Sequence, residues 1–217
     1  MRMFSGICAR LLLPVVFLCV SCSLGPGNLR VSQKEDLAAR KIRRVAVLPL
    51  GSVAPAPQTP GGKAERRDPA LLLDSLIYNA LQAAPHWQVV SDREVGELRS
   101  SIPATALPAR QAIRLGELVY ADAVLSGRIL RFRERVGESF GVQSPASVAF
   151  TLQLVDVKRG DVIWTAQFDE TQKALSENLF ALADVTQRGV KWLKAEELAE
   201  EGVNKAIAQL NRLLYPL

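Results

Sequence analysis

The chain has 217 residues, 48% of them hydrophobic, with 27 basic residues against 22 acidic and a single histidine. That length supports one hydrophobic core and little more. All three cysteines, Cys8, Cys19 and Cys22, lie close to the N-terminus, so the remainder has no disulfide framework and no cysteine-based metal site. The near-balanced charge gives no electrostatic case for nucleic acid.

The N-terminus reads as an export signal. Arg2 and Arg10 supply a positive region, Leu11 to Leu18 an apolar run, and small residues lead into Ser21-Cys22. The run is shorter than the roughly 20 apolar residues of a spanning helix. Cysteine at the end of such a signal marks a bacterial lipoprotein, in which Cys22 is acylated and becomes the mature N-terminus. Cys19 stands where a lipobox usually has Leu, with Leu18 one position further back. The alternative is an ordinary cleaved signal with an incidental cysteine. Residues 1–21 are therefore assigned to the signal and 22–42 to a lipid anchor and tether. Residues 43–217 form one periplasmic domain. Ser23, not Asp, follows Cys22, and general lipoprotein sorting then sends the chain to the outer membrane.

The domain opens with a strand over 43–50, nearly all apolar as suits a central strand covered on both faces. Residues 51–67, rich in Pro and Gly, read as a long loop. Asp68-Pro69 starts a helix as cap and first-turn proline, with Leu73, Leu76, Ile77, Ala80, Leu81 and Ala84 on one face. A short strand follows at 87–90. Ser91 with Glu94 is a capping-box signature for the next helix, and Pro108 opens a third. A long strand begins at Ala123 and runs into charged residues. Val148, Phe150, Leu152 and Leu154 alternate with their neighbours, as do Val162, Trp164, Ala166 and Phe168 after the turn at 158–161. That pattern predicts an antiparallel hairpin. Residues 176–193 carry apolar side chains without a clear period, and an amphipathic helix with an acidic first part closes the chain. The order β-α-β-α-α-β-β-β-α predicts an α/β sandwich with a mixed sheet, parallel in its first half and antiparallel in its second.

Catalytic patterns are absent from the sequence. His86 has no triad partner, no Gly-x-Ser-x-Gly elbow occurs, and Gly61-Gly62-Lys63 lacks the spacing of a phosphate loop. No His, Cys or carboxylate cluster has metal-ligand spacing. The chain is expected not to be an enzyme and to use no cofactor. Three segments stand out as partner surfaces. The first is the arginine-rich end of the long strand, Arg128, Arg131, Arg133 and Arg135, whose bland reading is a solubilising edge. The second is the apolar stretch with Leu179, Phe180 and Trp192, whose bland reading is that it folds onto the core. The third is the strand-turn-strand 127–149, whose long polar loop 136–145 reaches a partner or is simply mobile.

Four segments together resemble the curli secretion channel (CsgG-like) superfamily, which includes the PelC and LpoB groups. They are the opening strand Arg44 to Leu50, the strand-to-helix segment Trp87 to Arg93, the segment Ala121 to Ile129, and the hairpin Leu152 to Trp164. The resemblance covers roughly residues 43 to 170. It implies an anticodon-binding-like α/β domain on a lipid anchor. By the same resemblance the chain is an accessory or scaffold of an envelope assembly or secretion system, with an envelope protein or further copies of itself as partners. The channel's long barrel hairpins have no counterpart, since residues 136–147 are too short and polar. The alternative function is a ligand- or glycan-binding lipoprotein using the 51–67 loop above the first strand.

Overall fold

The apolar runs assemble one seven-stranded mixed sheet in the computed structural model, which describes residues 28–52, 68–102, 108–137, 142–172 and 193–216. The strands of that sheet are β1 (Leu29–Gln33), β2 (Arg44–Val47), β3 (Gly51–Ser52), β4 (Gln88–Val89), β5 (Ala123–Arg133), β8 (Ser147–Asp156) and β9 (Asp161–Thr171). A separate two-stranded ribbon pairs β6 (Val136–Gly137) with β7 (Val142–Ser144). The order across the sheet is β1-β9-β8-β5-β2-β4, with β3 also on β5. β2 runs parallel to β4 and β5, whereas β5, β8, β9 and β1 pair antiparallel. The expected α/β sandwich, with parallel and antiparallel halves, is what forms.

Helices cover the two faces unequally. α1 (Pro69–Gln82) and α4 (Ala195–Leu214) pack on one face, burying Leu73, Ile77 and Leu81 with Leu198, Val203, Ile207 and Leu210 against Phe150, Leu152, Trp164 and Phe168. α2 (Asp92–Arg99) and α3 (Pro108–Leu118) cover the other face, where Val95, Ala112 and Leu115 meet Ala46, Val90, Val124 and Val155. Their buried partners lie on β2, directly after β4, at the start of β5 and at the end of β8, so the rest of this face has no helix over it among the described residues. Asp68 caps α1 by accepting from the Ala70 amide at 2.9 Å. Ser91 caps α2 through the Glu94 amide at 3.2 Å. The Asp68 assignment holds, and of the Ser91–Glu94 capping box the Ser91 half forms, while the Glu94 carboxylate accepts from Arg44 at 3.2 Å. α3 ends with the Ala121 amide donating to Gly116 at 2.9 Å, which places Tyr120 at a positive φ of 53°. Gly is the usual residue in that helix-ending position.

Two segments differ from the sequence expectation. Residues 29–42 belong to the folded domain, where a tether is expected. β1 pairs with β9 from Leu29↔Phe168 to Gln33↔Trp164, a short 3-10 helix follows at Leu37–Ala39, and Leu29, Leu37 and Ile42 are buried. Periodicity over five residues between polar neighbours is too brief to announce such an edge strand. The strand that carries the arginines is interior only in part. β5 lies between β8 and β2 over Ala123–Leu125 and meets β3 at Arg128 and Ile129, whereas at Arg131 and Arg133 its partner among the described residues is β8 alone, so that end keeps one open side.

Candidate interaction face

The uncovered half of the sheet is built by strand register. Residues directly opposite each other on neighbouring strands share a face. One row across the sheet is therefore Arg30, Gln167, Thr151 and Arg128, and the next is Ser32, Thr165, Gln153 and Ser126. The opposite rows, such as Leu29, Phe168, Phe150 and Ile129, lie buried against α4. Arg30, Arg128, Gln153 and Gln167 are exposed.

A β-bulge places the arginines. Strict alternation along β5 would put residues 128, 130 and 132 on one face and send Arg131 and Arg133 inward. The register shifts between Ile129 and Arg131, with Ile129 opposite Phe150 and Arg131 opposite Ala149. Leu130 is the extra residue. Arg128, Arg131 and Arg133 thus share the open face, while Phe132 turns to the core side. Arg131 lies across the sheet. Its Nε donates to Ser147 Oγ at 2.5 Å, and its guanidinium reaches Asp169 and Thr171. Arg30, Arg128 and Arg133 have no ion-pair partner among the described residues.

The opposite end of the antiparallel half is closed by an ion network. Arg40, only 5% exposed, donates to Asp156 at 2.8 Å, to Asp161 at 2.9 Å and to Asp36 at 2.9 Å. Lys34 reaches Asp161 at 2.5 Å and Arg159 reaches Asp36 at 2.8 Å. The Arg40 and Lys34 cations hold the Asp161 carboxyl down at about 2, and Arg40 lowers Asp36 as well. Hydrogen bonds from Arg40 to Asp161, Asp36 and Asp156 in turn hold the guanidinium protonated. The three acids and three bases clamp residues 34–40 to the β8–β9 turn, where Gly160 supplies the positive φ of 71°.

The other residues with chemistry in them have structural partners. The His86 ring lies 4.6 Å, centroid to centroid, from that of Tyr215. Asp74 accepts from the Leu50 amide at 3.0 Å, and burial raises its pKa. The Tyr78 hydroxyl is an exception, as is the Trp164 indole Nε1. The hydroxyl is buried without a hydrogen-bond partner among the described residues, and burial pushes it up to about 12, with Asp92 and Asp74 adding to the shift. No group of three or more metal-ligating side chains occurs among the described residues, and no described helix is long and apolar enough to cross a membrane.

Of the residues singled out from sequence, Arg131 and Arg133 come together on the open face. Cys22, Leu179, Phe180, Trp192 and most of the 51–67 loop lie outside the described residues. Sequence reasoning missed Arg30 and the Ser/Thr/Gln rows beside it. The hydrophilic half of the β8–β9 alternation, Thr151, Gln153, Thr165 and Gln167, is the signal that could have found them, because it requires one face of that hairpin to be polar.

No protein-family model matches the sequence, and no curated protein matches it. Solved structures do show likeness of fold. One is the PelC dodecamer from Paraburkholderia phytofirmans, at 19% identity and a TM-score of 0.46, covering 84% of this chain and 96% of that one. The LpoB C-terminal domain from Escherichia coli is similar at 18% identity and a TM-score of 0.39, covering 60% and 83%. A lipoprotein from Neisseria meningitidis is similar at 16% identity and a TM-score of 0.39, covering 66% and 91%.

Proposed function

We propose that the chain is a non-enzymatic outer-membrane lipoprotein, anchored through acylated Cys22. On this reading it serves as an accessory or scaffold of an envelope assembly or secretion system. The observation that carries the reading is Cys22 itself, set at the end of a signal-type apolar run and just ahead of a folded α/β domain. The four motif segments support it from within the domain. They fall on β2, on β4 and the start of α2, on β5, and on the β8–β9 hairpin, which are the sheet elements that fix the fold. A polar sheet face with exposed Arg30, Arg128, Gln153 and Gln167, over which no helix of the described residues lies, suits a protein whose work is contact with other molecules.

The test has two arms. Cys22→Ala in the full chain is expected to move the protein out of the washed membrane fraction or to leave it uncleaved at the inner membrane. Unchanged outer-membrane fractionation would sink the anchor. Light scattering on the detergent-solubilised wild type, alone and after cross-linking in cells, is expected to show a ring or a defined complex. A strictly monomeric species with no cross-linked partner argues against the scaffold role.

A further inference from the structure

The place where the tether meets the sheet says what the arginine face lies against. Only five residues, Ser23 to Gly27, separate Cys22 from Asn28. Six Cα steps of about 3.5 Å each span at most about 21 Å. Asn28 is already fixed to the sheet, because its carbonyl accepts from the Asp169 amide at 2.9 Å and its side-chain amide donates to Glu170. Asp169 stands opposite Ala149, and Ala149 opposite Arg131. The tether therefore leaves the sheet at the level of Arg131. Arg133 lies two residues further out, about 7 Å beyond at the usual strand rise. Arg30 is two residues along the chain from Asn28, and Arg128 shares its row three strand spacings away, about 14 Å.

We propose that this corner of the open face, Arg30, Arg128, Arg131 and Arg133, rests on an anionic phospholipid surface and binds its phosphates. The proposal rests on the lipid-anchor reading of Cys22. Three observations support it. The tether, at most about 21 Å long, ends about 14 Å across the sheet from Arg128 and Arg131, so it keeps the corner within about 35 Å of the bilayer and lets it lie flat on the headgroups. The corner is cationic: among the described residues four arginines face it against the carboxylate of Asp169, which Arg131 already engages. Exposed apolar side chains accompany them, with Leu130 in the bulge 39% exposed and Val136 in the ribbon 49% exposed. Apolar side chains among basic ones suit the boundary between headgroups and acyl chains. Each basic residue held close to an anionic surface strengthens attachment about five-fold, and the effect fades beyond a Debye length of about 10 Å.

Arginine footprinting of the full, native lipoprotein tests this. The protein is reconstituted in vesicles of phosphatidylcholine alone or with phosphatidylglycerol, and phenylglyoxal modification is read by mass spectrometry. The expected result is about five-fold or greater slowing at Arg30, Arg128 and Arg133 in the phosphatidylglycerol vesicles, reversed by high salt. Arg93 and Arg114, on α2 and α3, serve as controls and keep their rates. The mass of the N-terminal peptide and flotation with phosphatidylcholine vesicles report the anchor separately. An acylated, floating protein whose three arginines react equally in both vesicles overturns the lipid contact and leaves the anchor standing. A peptide without acyl chains overturns the anchor and this proposal with it. Protection that is equal in both vesicles and rises with protein density assigns the face to a second copy, and also overturns it.

Discussion

Arg40 shows how much one residue can decide. Its guanidinium is almost fully buried and joins Asp36, Asp156 and Asp161, so the segment before the first parallel strand is fastened to the far hairpin. The sign of the pH dependence follows from Asp161. Its carboxyl titrates at about 2 in the folded protein against an ordinary 3.8, so the folded state favours the charged form. That contribution is fully present above about pH 4 and fades as the pH falls towards 2. Asp36, also lowered, acts in the same direction. In Asp161→Asn, denaturant midpoints should be lower at neutral pH and should fall less between pH 4 and 2 than in the wild type. An acid limb identical to the wild type would show that the network contributes nothing to acid stability. Breaking the network at its centre is the harsher change. Arg40→Ala leaves the Asp156 carboxylate, 7% exposed, without its cation, a loss of about 3–5 kcal/mol.

Among the elements, α4 and the hairpin it covers were legible from sequence because their periods are long and unbroken. Ten residues of β8 and eleven of β9 give the alternation room to show. β1 was not legible, since its place is set by the free edge of β9 and not by its own pattern. The open face was legible only in part. Arg131 and Arg133 stood out by charge, but their common face depends on the bulge at Leu130, which no local pattern announces. Packing of α4 depends equally on a detail outside periodicity. A Cβ built at Gly202 would sit 2.8 Å from three carbons of the Phe168 ring, and that ring is backed by Phe150 with centroids 5.1 Å apart. Gly202→Ala gains about 1 kcal/mol of helix propensity but loses about 1–3 kcal/mol to overpacking. The expected net is a lower melting temperature. Gly96→Ala in α2, with nothing within 4 Å of the new Cβ, gains the propensity alone and should raise it. Stabilisation by both substitutions would mean that α4 does not press on Phe168.

At the scale of the molecule, the folded domain begins nearer the N-terminus than its sequence suggests, and this decides which part of the N-terminal segment is linker. Residues 23–27 precede the sheet, whereas residues 29–33 form its edge strand and residues 34–42 lead through the 3-10 helix towards β2. Their removal would uncover the β9 edge and expose the surfaces that Leu29, Leu37 and Ile42 cover. Each of those side chains contributes about 1.5–3 kcal/mol by burial. Loss of Arg40 leaves Asp156 uncompensated at a cost of about 3–5 kcal/mol, and the Tyr215 hydroxyl loses the Ile42 carbonyl to which it donates. Together these are of the same size as the roughly 5–15 kcal/mol by which a domain of this kind is stable. A chain lacking residues 29–42, with Asn28 joined directly to Arg43, should therefore fail to give a cooperative thermal transition. A chain lacking only residues 24–27 should melt as the wild type does. If the longer deletion melts cooperatively near the wild-type temperature, residues 29–42 are a tether after all. The reach from the proposed anchor at Cys22 to the folded domain would then be about three and a half times as long, and the proposed lipid contact of the arginines would lose its support.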